Sequence, residues 1–126
     1  MTIEQRMVGS VVVLDLKGRL VLGEGDRLLK DKVNSLIFQG QRQIVLNLGG
    51  VSFMDSAGLG ELVGVHATVT KAGGRIKVIN LTKRVSDLLT ITKVLTVFDV
   101  EDSEAEAVRS LESDENQSTR PPAPMV

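Results

Sequence analysis

Short β-branched runs alternate with helix-period segments along this chain, and that alternation constrains its fold more than any other feature. Val11-Val12-Val13-Leu14-Asp15-Leu16 and Ile44-Val45-Leu46-Asn47-Leu48 are almost continuously apolar, as buried strands are. Arg75-Ile76-Lys77-Val78-Ile79 alternates like a strand, and Val97-Phe98-Asp99-Val100 reads as a last one. Between the runs, Leu28, Leu29, Val33, Leu36 and Ile37 fall on one helical stripe that stops at Gly40. A second helical pattern starts at Ser56, carries Leu59, Leu62, Val63, Val65, Ala67 and Val69, and ends near Gly73-Gly74. Thr82 is a suitable N-cap for a helix bearing Val85, Leu88 and Leu89. Ser103-Glu104-Ala105-Glu106 has the cap-then-acid form of a last helix start, with Ala107, Val108 and Leu111 on its apolar side. Gly9-Ser10 is a turn signal, so residues near 3–8 pair antiparallel with the first run as a hairpin. Strands separated by helices need right-handed crossovers. The expectation is an α/β fold with a mixed, mostly parallel sheet of about five strands, the first antiparallel, and about four helices.

The 126 residues, 42% of them hydrophobic, suffice for one domain with its own core. The three prolines, Pro121, Pro122 and Pro124, close a polar stretch that begins at Ser113. That composition predicts a folded domain over 1–112 and a disordered polar, Pro-rich tail over 113–126. Residues 1–98 hold 13 Lys/Arg against 8 Asp/Glu, and residues 99–126 hold 2 against 8, which reads as a solvated acidic end on a mildly basic body.

Composition also excludes several classes of function. There is no Cys and one His, His66, so thiolate sites, iron–sulfur clusters and multi-histidine metal centres are out, and no cofactor is implied. Aromatic residues are Phe38, Phe53 and Phe98 only, too few for base-stacking platforms, so no nucleic-acid partner is expected. No apolar run approaches the roughly 20 residues of a membrane span. The start, Met1 to Arg6, lacks a signal layout, and a cytoplasmic location is the default.

In such sheets function concentrates in loops beyond the carboxyl ends of parallel strands. One connection stands out: Gly49-Gly50-Val51-Ser52-Phe53-Met54-Asp55-Ser56-Ala57-Gly58-Leu59-Gly60, expected as an irregular stretch from Gly49-Gly50 to Asp55 and a helix from Ser56. Ser56 or Asp55 could cap that helix. A nucleophile elbow needs Gly two residues before and after its serine, and position 54 is Met. His66, ten residues on, would lie about 15 Å along the helix axis, too far to act as base. Gly58-x-Gly60-x-x-x-Gly64 misses the dinucleotide fingerprint, with Val63 where the third Gly belongs. Gly58 and Gly60 instead allow close approach of a backbone or a partner, and Gly64 allows tight helix packing. The remaining reading is regulatory. A phosphate on Ser56 adds about −1.5 to −2 charges, and would turn an apolar-flanked docking spot around Met54, Ala57 and Leu59 into a bulky anion beside Asp55.

At these residues the chain resembles the STAS domain, and within it the bacterial anti-sigma factor antagonists. The likeness rests on Ile44 to Leu48, Val51 to Gly60 with its Asp55-Ser56-Ala57-Gly58 segment, Gly73-Gly74-Arg75 and the strand after it, and Val85 to Phe98. It implies a non-enzymatic switch. The unphosphorylated form binds an anti-sigma factor that is also a serine kinase, and the sigma factor is released. The kinase phosphorylates the serine matching Ser56, and a metal-dependent serine phosphatase restores the binding form. The implied contact surface is the Met54, Asp55, Ser56, Ala57, Gly58, Leu59 and Gly60 turn, with Val21, Gly23 and Asp26 beside it. This sequence departs from the family where Val21 follows Gly18-Arg19-Leu20, a place often held by an acidic residue. It departs again where Ala57 replaces a hydroxyl residue. Two other functions stay open at this point: a STAS interaction module of a signalling scaffold or lipid-transport assembly, and a nucleotide or small-ligand-binding domain using the helix start at Gly58–Gly64.

Overall fold

The computed structural model describes residues 1–118. Strands β1 (Thr2–Val8) and β2 (Val11–Leu20) form the antiparallel hairpin, with Val8 facing Val11 across a turn in which Gly9 takes a φ of +62°. There follow α1 (Gly25–Phe38), β3 (Gln43–Met54), α2 (Ser56–Lys71), β4 (Arg75–Ile79), α3 (Lys83–Ile91), a single 3-10 turn (Leu95–Val97), β5 (Asp99–Glu101) and α4 (Glu104–Ser118). The five strands lie in sheet order β1-β2-β3-β4-β5, and every pairing after the first is parallel.

The near-continuous apolar runs are explained by burial on both faces of the sheet. One face carries Leu14, Leu16, Ile44, Leu46 and Val78, and packs on Leu29 and Val33 of α1, Leu62 and Val65 of α2, and Val85 and Leu89 of α3. The other carries Val11, Val13, Val45 and Ile79, and packs on Ala107, Val108 and Leu111 of α4. Each of the buried Val, Leu and Ile side chains contributes about 1.5–3 kcal/mol relative to exposure. Polar residues also lie on the α4 face: Asp15 and Asn47 are hydrogen-bonded there, whereas Gln43 donates to the Leu111 carbonyl at 2.7 Å and leaves its Oε1 buried without a partner among the described residues. Arg6 Nε donates to Asp15 Oδ2 at 2.6 Å and Asn47 Nδ2 to Asp15 Oδ1 at 2.8 Å. Arg6 also reaches Glu104 at the start of α4. The Arg6 guanidinium, helped by the Asn47 amide, holds the Asp15 carboxyl below its ordinary range against the opposing effect of burial. Lys77, 4% exposed, donates to Glu101 Oε1 at 3.0 Å.

Three boundaries differ from the sequence reading. The stretch after Gly49-Gly50 is not irregular: β3 runs on to Met54 because β2 also runs on, and Gly50, Val51, Phe53 and Met54 pair with Lys17, Gly18, Arg19 and Leu20. Two register shifts accommodate the extension, between Asp15 and Lys17 and between Gly18 and Arg19, and Gly18 takes a φ of +107° that suits glycine. The last strand is shorter and later than Val97–Val100, because Leu95–Val97 closes a 3-10 turn first. Helix α4 extends to Ser118, past the domain end expected at 112. The rest of the expected tail, 119–126, lies outside the described residues.

Candidate functional site

The extended β2 and β3 rise together beyond the body of the sheet and end side by side at Leu20 and Met54. The Asp55 N–H donates to the Leu20 carbonyl at 3.3 Å, and α2 starts at once. Asp55 is the N-cap: its φ of −98° and ψ of −176° are extended, and its Oδ1 accepts the Gly58 N–H at 2.8 Å. Of the two capping candidates the geometry selects Asp55. That leaves Ser56, the first helical residue, exposed, with no hydrogen bond to its hydroxyl among the described residues.

The second carboxylate oxygen of Asp55 accepts the Leu22 N–H at 3.1 Å. One side chain thus holds the start of α2 and the loop that follows β2. That loop is also closed on itself. Gly23 turns it with a φ of +101°, the Gly23 N–H donates to Asp26 Oδ1 at 2.9 Å, and the Asp26 N–H donates to the Val21 carbonyl at 3.2 Å. The Gly58 and Leu22 amides, in that order, hold the Asp55 carboxyl below its ordinary range, so it is anionic at neutral pH.

The structure brings both expected segments to one surface but sorts their residues. Ser56, Gly60 and Gly23 are exposed; Val21, Asp26, Asp55, Ala57 and Leu59 are half-buried. Met54 and Gly58 are buried, and Gly58 makes the close backbone approach expected of it. Met54 is 5% exposed and its side chain belongs to the core, because it faces inward where β3 meets the helices. Gly58 is buried because α2 packs backbone against backbone on β2 there: a Cβ at this position would overlap the Leu20 carbonyl oxygen. Gly60 meets nothing within 4 Å, so it does not serve a close backbone approach within the chain. Gly64 is exposed and has only a Glu61 oxygen at 3.9 Å, so it is not a helix-packing glycine. His66 sits edge-on to Phe98 with ring centroids 5.5 Å apart, one wall of the core and not a partner of Ser56. Leu22 lies inside the expected 21–26 loop, though it is not one of the three residues named from it. It is 73% exposed on the loop that Asp55 pins, and the apolar pair Val21-Leu22 directly before a turn glycine was its signal.

Among the described residues, no group of three His, Cys, Asp or Glu could hold a metal ion, and no helix is long and apolar enough to cross a membrane. The site therefore consists of an exposed hydroxyl, an anionic clamp and apolar loop residues. Fold and site together define a small α/β domain that presents one serine at a helix start, on a surface shared by two loops. The chain belongs to the STAS domain family, whose model matches residues 2–107. It is 38% identical over 73 residues to the anti-sigma-B factor antagonist of Bacillus subtilis, a match covering 58% of this chain and 66% of that protein. It is 27% identical over 110 residues to the anti-sigma F factor antagonist of Paenibacillus polymyxa, covering 87% and 94%. Its fold is similar to that of the anti-sigma factor antagonist SpoIIAA in its unphosphorylated form, with a TM-score of 0.65 and 26% identity over 94% of this chain and 99% of that one. The Bacillus cell fate determinant SpoIIAA is also known in the phosphorylated form, and that structure matches with a TM-score of 0.67 and 25% identity, covering 86% and 98%.

Proposed function

We propose that this STAS domain is an anti-sigma factor antagonist, a non-enzymatic switch controlled at Ser56. The observation that carries the reading is the exposed Ser56 hydroxyl at the first residue of α2, released from capping because Asp55 does that work. Support comes from the two curated relatives, both anti-sigma factor antagonists, and from SpoIIAA, which occurs with and without a phosphoryl group.

In the unphosphorylated form, Leu22, Ala57 and Leu59 with Ser56 and Gly60 offer a small, mostly apolar surface with one anion at its centre. An anti-sigma factor that docks there leaves its sigma factor. The same partner is a serine kinase. The γ-phosphoryl group leaves ADP and bonds to Ser56 Oγ, and the hydroxyl proton passes to a base of the kinase. No base is needed from this chain, and the neighbouring Asp55 carboxylate has its oxygens on the Gly58 and Leu22 amides. The product carries about −1.5 to −2 charges beside an existing anion. A partner packed on this surface would have to desolvate both, which costs several kcal/mol and dissolves the complex. A serine phosphatase resets the switch by hydrolysis. ATP, kinase and sigma factor place the cycle in the cytoplasm.

The experiment is to purify each anti-sigma factor kinase of the source bacterium and measure its affinity for wild type, Ser56→Ala and Ser56→Asp, with phosphosite mapping after ATP is added. At least one kinase binds wild type and Ser56→Ala, labels Ser56 alone, and loses 100-fold or more in affinity for Ser56→Asp. Label on another residue, or equal affinity for all three chains, rejects the reading.

A further inference from the structure

A second feature adjoins the Ser56 surface. Phe53, one residue before Met54 at the top of β3, is half-buried between two guanidiniums. Arg19 Cζ lies 5.2 Å from its ring centroid and Arg84 Cζ 5.9 Å. Arg19 faces Phe53 across the β2–β3 register, and Arg84 comes from the first turn of α3. Beside the ring an open groove of about 610 Å³ runs along α3, walled by Phe53, Lys83, Arg84, Leu88 and Ile91. Ile91 is 78% exposed, the most open aliphatic residue on that helix.

The charge in this groove is unbalanced. Arg19, Lys83 and Arg84 are all exposed, and among the described residues none has a carboxylate within ion-pair distance. Asp87 is the one acidic residue in the wall. Four other cations, Arg6, Lys17, Arg75 and Lys77, have carboxylate partners, and Lys83 and Arg84 stand out by lining one groove together, not by lacking an ion pair. Both guanidiniums lie within cation–π range of Phe53, and no hydrogen bond from either is made among the described residues. That geometry suits bidentate recognition of carboxylates, and the ring, Leu88 and Ile91 suit apolar side chains.

We infer that this groove is a second docking site for the anti-sigma factor, taking an acidic segment of that partner whose apolar residues lie along Leu88 and Ile91. The inference rests on the function proposed above. Charge complementarity favours this occupant, and so does continuity of the chain, since β3 passes from Phe53 to the Asp55–Ser56 turn without a break. A contact here is separate from the phosphorylated oxygen. It would set which of several kinases is recognised, whereas Ser56 sets whether binding occurs.

The test uses the full chain and the kinase that the Ser56 experiment identifies, with three variants: Lys83→Glu/Arg84→Glu, Ile91→Asp and Ser56→Asp. All are checked for folding by circular dichroism and thermal melting. The groove variants each lose at least tenfold in affinity. The double charge reversal also flattens the dependence of affinity on salt, because exposed complementary charges are screened. Both remain substrates at Ser56 when the kinase is raised to saturating concentration. If both groove variants bind within twofold of wild type while Ser56→Asp abolishes binding, the groove inference is overturned and the Ser56 switch stands. If no kinase binds the wild-type chain, both fall together. Cosedimentation of wild type with vesicles containing phosphatidylglycerol, lost in Lys83→Glu/Arg84→Glu with kinase affinity unchanged, assigns the groove to lipid and also overturns the inference.

Discussion

Asp55 and Leu22 stand 33 positions apart in the chain, yet the Leu22 N–H donates to Asp55 Oδ2 at 3.1 Å, while Oδ1 of the same carboxylate accepts the Gly58 N–H at 2.8 Å. The two segments flanking Ser56 are therefore not independent loops. They share one side chain, and that gives the first prediction. Asp55→Asn keeps an oxygen for Gly58 but offers an amide, which donates and cannot accept, toward Leu22. Hydrogen exchange at the Leu22 amide rises at least tenfold in this variant, while exchange in the sheet amides of Leu46 and Val78 stays as in wild type.

Gly58 and Gly60 make opposite predictions two residues apart. A Cβ on Gly58 overlaps the Leu20 carbonyl, whereas one on Gly60 meets open space within a helix. Gly58→Ala loses about 1–3 kcal/mol of stability, because α2 must lift from β2. Gly60→Ala gains about 0.5–1 kcal/mol, because alanine favours the helix and narrows the unfolded ensemble. Urea denaturation reads both.

Leu22 is 73% exposed, so its truncation changes the surface and not the core. Leu22→Ala stays within about 0.5 kcal/mol of wild-type stability. It weakens the complex with the anti-sigma factor about tenfold, a change of about 1.4 kcal/mol. Calorimetry of the complex beside thermal melting of the free chain separates the two effects.

The Asp15 carboxyl, bonded first by Arg6 and then by Asn47, titrates below its ordinary 3.8 in the folded chain. A depressed folded pKa means that its stabilisation is complete above the unfolded value and is lost as pH falls through the folded one. Stability therefore declines below about pH 4, and Asp15→Asn makes that decline shallower. At neutral pH, Asp15→Ala costs about 1–3 kcal/mol. It strands Asn47 and Arg6, although Arg6 is 41% exposed and regains water. Urea midpoints between pH 3 and 7 check both statements.

The parts of this fold legible in the sequence are those set by local period. The apolar runs gave away β2 and β3 because both faces of the sheet are covered, alternation gave away β4, and Thr82 and Ser103 marked their helix starts, accepting the Val85 and Glu106 amides. What stayed hidden depends on partners distant in the chain. Gly49-Gly50 reads locally as a break, yet β3 continues because β2 is long enough to pair with it, a fact that neither segment states alone. Asp55 and Ser56 are equal as caps on paper, and the Leu22 amide that helps to orient the aspartate comes from another loop. Met54 reads on paper both as an anchor beneath the loop and as part of a docking spot, and the extended pairing selects the first. Phe53, Arg19 and Arg84 lie in three different elements, and no spacing rule joins them.

One consequence of the Asp55 clamp concerns what a modified Ser56 would encounter. The Gly58 amide, which an anion arriving at this helix start would seek, is already taken. A phosphoryl group there would meet an amide already bonded to the Asp55 carboxylate. The message would then be written on the outside of an unchanged scaffold, legible to whatever next approaches and erasable without a single strand or helix having to move.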